Sequence, residues 1–238
     1  TGEAKASCSS PYHTRFPRPG WAEQAPEDWW TALGAAVRGA VARAEVPAGS
    51  VLAVGIDTTC CTVVALDEDN APLRPALMWM DQRAADQARQ LLATGDPHTR
   101  VNSGGAGPIS AEWFLCKNLW IKQNEPEVWA RAKIMCEYQD YLNWRLTGRM
   151  VASMNNASVR WHYSAETDGL PLTMLEAVGM PELACKWPQE LLRLGDVVGG
   201  LTGSAAKHLG LHAGTLVAQG GADAFVGMLG LGVVKPGQ

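Results

Sequence analysis

Three short stretches of this 238-residue chain group the side chains that could do chemistry. The first is Gly220-Gly221-Ala222-Asp223, which follows the apolar run TLVAQ (215–219) and opens a helical pattern near Ala222. A helix N-terminus favours a carboxylate as the anion, and two glycines ahead of it let a ligand approach the backbone. Such an aspartate, at the carboxyl end of a strand, can accept a proton from a substrate hydroxyl during phosphoryl transfer. It can equally be no more than a helix N-cap. The second stretch is Gly55-Ile56-Asp57-Thr58-Thr59-Cys60-Cys61-Thr62. Its hydroxyls and amides would suit a polyol, or would merely satisfy the backbone where a strand turns into a hairpin. The third is Trp79-Met80-Asp81-Gln82-Arg83. Sugars are often held by an aromatic face ringed with charged hydrogen-bonding groups, while the plainer reading makes Asp81 an N-cap and leaves Arg83 on a solvated face.

Other familiar chemistry is absent from the sequence. There is no GxxxxGK(S/T) phosphate loop, no HExxH and no GxSxG. The glycines at 220, 221, 227, 230 and 232 do not fit a dinucleotide fingerprint. The cysteines, at 8, 60, 61, 116, 136 and 185, show neither CxxC nor zinc-ligand spacing, so they read as free thiols in a reducing, cytoplasmic compartment. A formal charge of −4 with no basic block argues against nucleic acid or an anionic membrane as the main partner. No run approaches the roughly 18 apolar residues of a membrane span. With 47% hydrophobic and 18% charged residues the chain can build a sizeable core rather than stay disordered.

The elements that must position these stretches alternate between strand and helix, which makes the class α/β. VLAVGID (51–57) reads as a buried strand with CTVVALD (61–67) as its neighbour, and PALMWM (75–80) as a third apolar run. A helix is expected from Pro26 to before Pro47, with Glu27 and Asp28 in its first turn. Others are expected from Asp81 to Gly95, after Ser110 at the end of the glycine-rich NSGGAGPIS (102–110), after Pro126, and over EYQDYLNWRLTG closed by Gly148. KIMC (133–136) reads as a strand, and Thr202 caps a helix that Gly210 ends. Of the ten tryptophans, Trp29, Trp120, Trp129 and Trp144 fall at helical core spacing, so they read as core rather than ligand platforms.

The order of the segments says more than any one of them. PRPGWAEQAPEDWW, VGIDTTCCTVVALD, ALMWMDQRAA, EWFLCKNLW, YLNWRLTG and GGADAFVGMLGLG resemble, in sequence order, the FGGY family of carbohydrate kinases, from about Pro17 to Gln238. The resemblance implies the actin-like, ribonuclease-H-like ATPase fold, a mixed sheet flanked by helices, with two such domains enclosing a sugar and MgATP and this chain the first of them. It implies that Asp223 is the catalytic base, that Thr59, Cys60 and Cys61 line the sugar pocket, and that Trp79 and Asp81 lie where the WxD neighbourhood faces the sugar. ATP and Mg²⁺ would be the cofactors, held mainly by parts outside this chain, and a small-molecule sugar the partner; homodimerisation stays open.

Within the family, glycerol kinases carry an Arg-Glu pair at the Cys60-Cys61 position, and xylulokinases a Gln and a His around this strand end. DTTCCT is more similar to the DTTGST of ribulokinases. The stretch Ser158-Val159-Arg160-Trp161-His162 departs from L-ribulose kinases, which have a lysine before SLWH, so D-ribulose or another ketopentose or pentitol is the expected substrate. The resemblance also leads us to expect a chain cut at both ends, without the leading DxGT strand and the second domain, and inactive alone. The alternative is a sugar-binding or regulatory module without catalysis.

Overall fold

The computed structural model describes residues 2–101, 109–164, 169–235 and 237. Most of the glycine-rich stretch expected to lead into Ser110 lies outside the described residues. The strands are β1 (Glu23–Gln24), β2 (Ala53–Gly55), β3 (Val63–Leu66), β4 (Ala76–Leu77), β5 (Ile134–Glu137), β6 (Ala152–Ser153), β7 (Leu191–Leu192), β8 (Val197–Gly200) and β9 (Leu216–Ala218). The helices are α1 (Pro26–Ala44), α2 (Ala85–Ala93), α3 (Phe114–Asn124), α4 (Pro126–Arg131), α5 (Tyr138–Thr147), α6 (Met154–Arg160), α7 (Leu172–Ala177), α8 (Leu183–Lys186), α9 (Gly203–Leu209) and α10 (Asp223–Gly230). Among the described residues, no helix is long and apolar enough to cross a membrane.

The strands form sheets of order β1-β4-β3-β5, β2-β9-β8 and β6-β7. β3 is the hinge of the packing. Its side chains alternate, so Val63 and Ala65 join one core with Phe114, Leu115, Ile121, Trp161 and Trp187, while Val64 and Leu66 join the other. That second core holds Trp29, Tyr141, Leu146, Leu209 and Val217. A strand covered on both faces is apolar throughout, which is why VVAL carries no polar alternation. Trp29, Trp120 and Trp129 are buried and Trp144 packs against the second core, as their spacing predicts.

Helix boundaries follow local chemistry. α1 begins on Pro26, with Glu27 and Asp28 in its first turn. α5 ends at Gly148 in the left-handed region (φ 76°), and Thr202 Oγ1 accepts from Ala205 N at 3.2 Å to cap α9. Two helices start later than the sequence suggests. α2 begins at Ala85 rather than Asp81, because the Asp81 carboxylate is engaged elsewhere. α3 begins at Phe114; Ser110 instead shapes a preceding turn, its Oγ accepting from Glu112 N and its carbonyl from Trp113 N.

The expected pairing of 51–57 with 61–67 is corrected. β2 is short, its Ala53 and Gly55 are exposed, and it pairs in parallel with β9. β3 pairs antiparallel with β4 and β5 in another sheet. The physical reason is Thr58. Its N–H donates to Gly221 O at 3.2 Å and its carbonyl accepts from Asp223 N at 2.9 Å, so the β2–β9 pairing continues past the strand ends. No backbone group of Thr58 is left to close a hairpin.

Candidate functional site

The parallel pair β2–β9 delivers two chain segments to the same end of the sheet. After β9 the chain passes so close to β2 that a Cβ on Gly220 would lie 1.6 Å from the Ile56 carbonyl oxygen. A Cβ on Gly221 would lie 2.7 Å from both Asn155 Oδ1 and Leu194 Cδ2. Gly220 therefore serves a close approach of two backbone segments and Gly221 a close approach of side chains, where the sequence suggested room for a ligand. Asn155 Oδ1 then accepts from Ala222 N at 3.0 Å, fixing the entry to α10.

Ala222, not Asp223, holds the N-cap position, with no side-chain cap. Asp223 is the first helical residue, and its Oδ1 accepts from Ala224 N at 2.8 Å. The carboxylate is exposed, on a backbone tied to Thr58. It sits at the positive dipole end of α10.

Asp223 forms the shared wall of two adjoining cavities. One, of about 330 Å³, is lined by Thr59, Cys60, Cys61, Trp79, Glu112, Arg160 and Asp223. The other, of about 500 Å³, shares Thr59, Trp79 and Asp223 and adds Asp57 and Thr58. Five of the six residues singled out from the sequence thus meet at one cavity. Trp79 presents an exposed indole, and Thr58 Oγ1 is buried without a partner. A carboxylate sharing a cavity with a threonine hydroxyl, thiols, an indole and the unlike charges of Glu112 and Arg160 can bind a small polyhydroxylated molecule and take a proton from it.

Asp81 lies apart from this group. It is fully buried and lines neither cavity. Its Oδ2 accepts from Ala22 N at 2.6 Å, and its two oxygens take Arg83 Nε and Nη2 at 2.9 and 2.8 Å. Arg83 is correspondingly not on a solvated face. It stacks over Trp21 at 3.7 Å and pairs with Glu23 at 2.8 Å. In the WMDQR stretch, then, Trp79 faces the cavity while Asp81 and Arg83 brace the loop behind it.

Four residues of the site escape the sequence reading. Arg160 and Glu112 reach the cavity from α6 and from the turn before α3. Lys117 is wholly buried, and its Nζ donates to Cys61 O at 2.8 Å, Met78 O at 2.5 Å and Trp79 O at 3.2 Å. One ammonium thereby ties together the two segments that carry the cavity wall. Burial pushes Lys117 down to about 8. Glu137, at the start of α5, is its counterpart. It accepts from Trp161 Nε1 at 2.7 Å and Asn156 Nδ2 at 2.8 Å, and the backbone N–H of Cys61 bonds to it as well. Burial pushes its carboxyl up to about 7, and Asp140, which accepts from Glu137 N at 2.8 Å, is raised too, first by burial. The available signal was a lone lysine inside the apolar run FLCKNLWI and a glutamate closing a buried strand.

Cys61 is clamped from both sides by these groups in the left-handed region (φ 67°), a strained backbone for a side chain-bearing residue. Its thiol lies 3.8 Å from Cys60 Sγ and donates to it. That hydrogen bond lowers the Cys60 thiol and, with burial, raises Cys61 well above the ordinary thiol value.

Residues 1–230 match the sequence model of the FGGY family of carbohydrate kinases, N-terminal domain. The chain is 32% identical to a ribulokinase of Shouchella clausii over 92% of this chain and 42% of that protein. It is 30% identical to a xylulose kinase of Escherichia coli over 100% of this chain and 47% of that protein. The chain thus spans less than half the length of these relatives. In three dimensions it superposes on a xylulose kinase structure from Rhodospirillum rubrum with a TM-score of 0.84 at 26% identity, covering 96% of this chain and 46% of that one. Fold, segment order and sequence agree: an actin-like ATPase fold whose chain belongs to the FGGY family of carbohydrate kinases and corresponds to its N-terminal domain.

Proposed function

We propose that this chain supplies the acceptor side of an ATP-dependent carbohydrate kinase. Asp223 takes the proton from the attacking hydroxyl of a ketopentose or polyol, with D-ribulose the preferred substrate. The observation that supports this reading is the position of Asp223: an exposed carboxylate on a fixed backbone, in the shared wall of two cavities lined also by Thr59 and Trp79. Cys60 and Cys61 complete the wall of the smaller cavity. In phosphoryl transfer the protein mainly positions groups and stabilises charge, so a base held by backbone contacts fits the task. Asp81 has no part in substrate contact in this reading; it positions Trp79 through the loop it braces.

The donor side, ATP and Mg²⁺, is not assigned to residues of this chain. Among the described residues, no group of three His, Cys, Asp or Glu side chains converges as a metal site. The test is a coupled ADP-release assay on the full-length protein with D-ribulose, other ketopentoses, pentitols and glycerol. The reading expects sugar-dependent ADP release, highest with D-ribulose. Calorimetric sugar binding without ADP release would instead favour a non-catalytic sugar-binding module.

A further inference from the structure

We propose that Cys60 and Cys61 are a reversible modification site, a dithiol in the cavity wall that a low-molecular-weight disulfide oxidises to an eight-membered ring disulfide. The two thiols are adjacent in sequence, lie 3.8 Å apart and line the cavity beside Asp223. Their exposure is unequal: Cys60 is half-buried, while Cys61 is buried deeper in the same wall. This is the arrangement of an attacking thiol with a resolving thiol at its back. The Cys61 S–H donates to Cys60 Sγ, which favours the Cys60 thiolate, and Arg160 in the same wall acts in the same direction. Cys116 and Cys136 are buried in the core, where desolvation holds them neutral.

The chemistry balances with a disulfide RSSR as oxidant. The Cys60 thiolate attacks one sulfur of RSSR, forming a Cys60–SR bond and releasing RS⁻, which takes up the Cys60 proton. Cys61 then attacks the Cys60 sulfur and displaces the second RS⁻, which takes up the Cys61 proton as the ring closes. Two protein thiols lose two electrons, and one RSSR becomes two RSH. Adjacent Cα atoms are about 3.8 Å apart, short of the roughly 4.4–6.8 Å that disulfides usually span. The ring is therefore readily reopened by excess thiol, as suits a switch rather than a structural bridge. Closing it draws the Cys61 side chain out of the core and reshapes the wall. The consequence for a bound sugar rests on the function proposed above; the thiol chemistry does not.

The experiment treats the protein with glutathione disulfide and maps non-reduced peptides by mass spectrometry. The peptide carrying 60–61 should lose two hydrogens, roughly ten times faster than exposed Cys185 is modified, and dithiothreitol should restore it. Cys61→Ala should stop at a stable glutathione adduct on Cys60, and Cys60→Ala should leave the peptide unmodified. The unmutated protein alone decides the matter should either variant fail to fold. A stable mixed disulfide on its Cys60, a bridge from the pair to another cysteine, or modification of Cys185 with the pair untouched would overturn the proposal. A second arm adds D-ribulose. Ring closure with no protection by the sugar would leave the dithiol site standing and count against the sugar reading instead.

Discussion

Replacing Glu137 by Gln should change how stability depends on pH, in a direction the buried network dictates. The Glu137 carboxyl is fully buried, and burial raises it from its ordinary 4.5 to about 7. The folded state therefore holds a proton that the unfolded chain releases between those two values. Glu137 contributes stability that is lost as pH rises from about 4.5 through about 7. At about 1.4 kcal/mol per tenfold change in proton affinity, the loss is about 3 kcal/mol at most. His162 acts oppositely: burial lowers it to about 4, so its contribution grows as pH rises towards its ordinary 6.5. It is present in both proteins and cancels in their difference. Gln mimics the protonated acid well here. Its oxygen can take Trp161 Nε1, and its NH₂ can donate to Asn156 Oδ1, which is buried without a partner and needs only an amide flip. Asp140 adds to the difference rather than offsetting it: the Glu137 charge also raises it, and that part of its own loss with rising pH disappears in the variant. Urea unfolding followed by tryptophan fluorescence, at a series of pH values and constant ionic strength, measures the outcome. The variant should gain on the unmutated protein between pH 4.5 and 8, by an amount approaching 3 kcal/mol. A flat difference, or a loss for the variant as pH rises, would refute a buried carboxyl that holds its proton.

Lys117→Met should lower stability by about 3 kcal/mol or more, since the carbonyls of Cys61, Met78 and Trp79 lose a shared donor; thermal unfolding reads this, and a change under 1 °C would mean the carbonyls find other partners. Gly220→Ala should abolish soluble folded protein or cut Tm sharply, because the new methyl would meet the Ile56 carbonyl at 1.6 Å, where backbone must yield. An unchanged Tm would show that the β2–β9 end is loosely held. Trp79→Ala should raise the sugar KM about tenfold with a smaller effect on kcat, measured by coupled assay; an unchanged KM would place the sugar elsewhere.

The fold was legible where one-dimensional signals are strong. Proline at the start of α1, Gly148 after α5 and Thr202 before α9 are local backbone chemistry, and each boundary stands where those residues put it. The pairing of β2 was not legible, because its partner β9 lies some 160 residues on, beyond the reach of any local pattern. The site divided in the same way. Asp223, Thr59, Cys60, Cys61 and Trp79 stand at strand ends, where pattern points to them, and they meet at one cavity. Asp81 misled because a carboxylate before a helix looks the same in sequence whether it caps that helix or pairs with a buried arginine. Lys117 and Glu137 act through backbone atoms distant in sequence, and no spacing announces a carbonyl as a partner.

The most direct test of the central claim is Asp223→Asn in the full-length protein, assayed by ADP release with D-ribulose. Asn keeps the size and can still accept from Ala224 N, so the backbone contacts that fix the position are undisturbed. With the base gone, kcat should fall by about 10² to 10⁴ while the sugar KM changes much less. More than half of the normal turnover remaining would contradict the account and reduce Asp223 to an ornament of the α10 N-terminus.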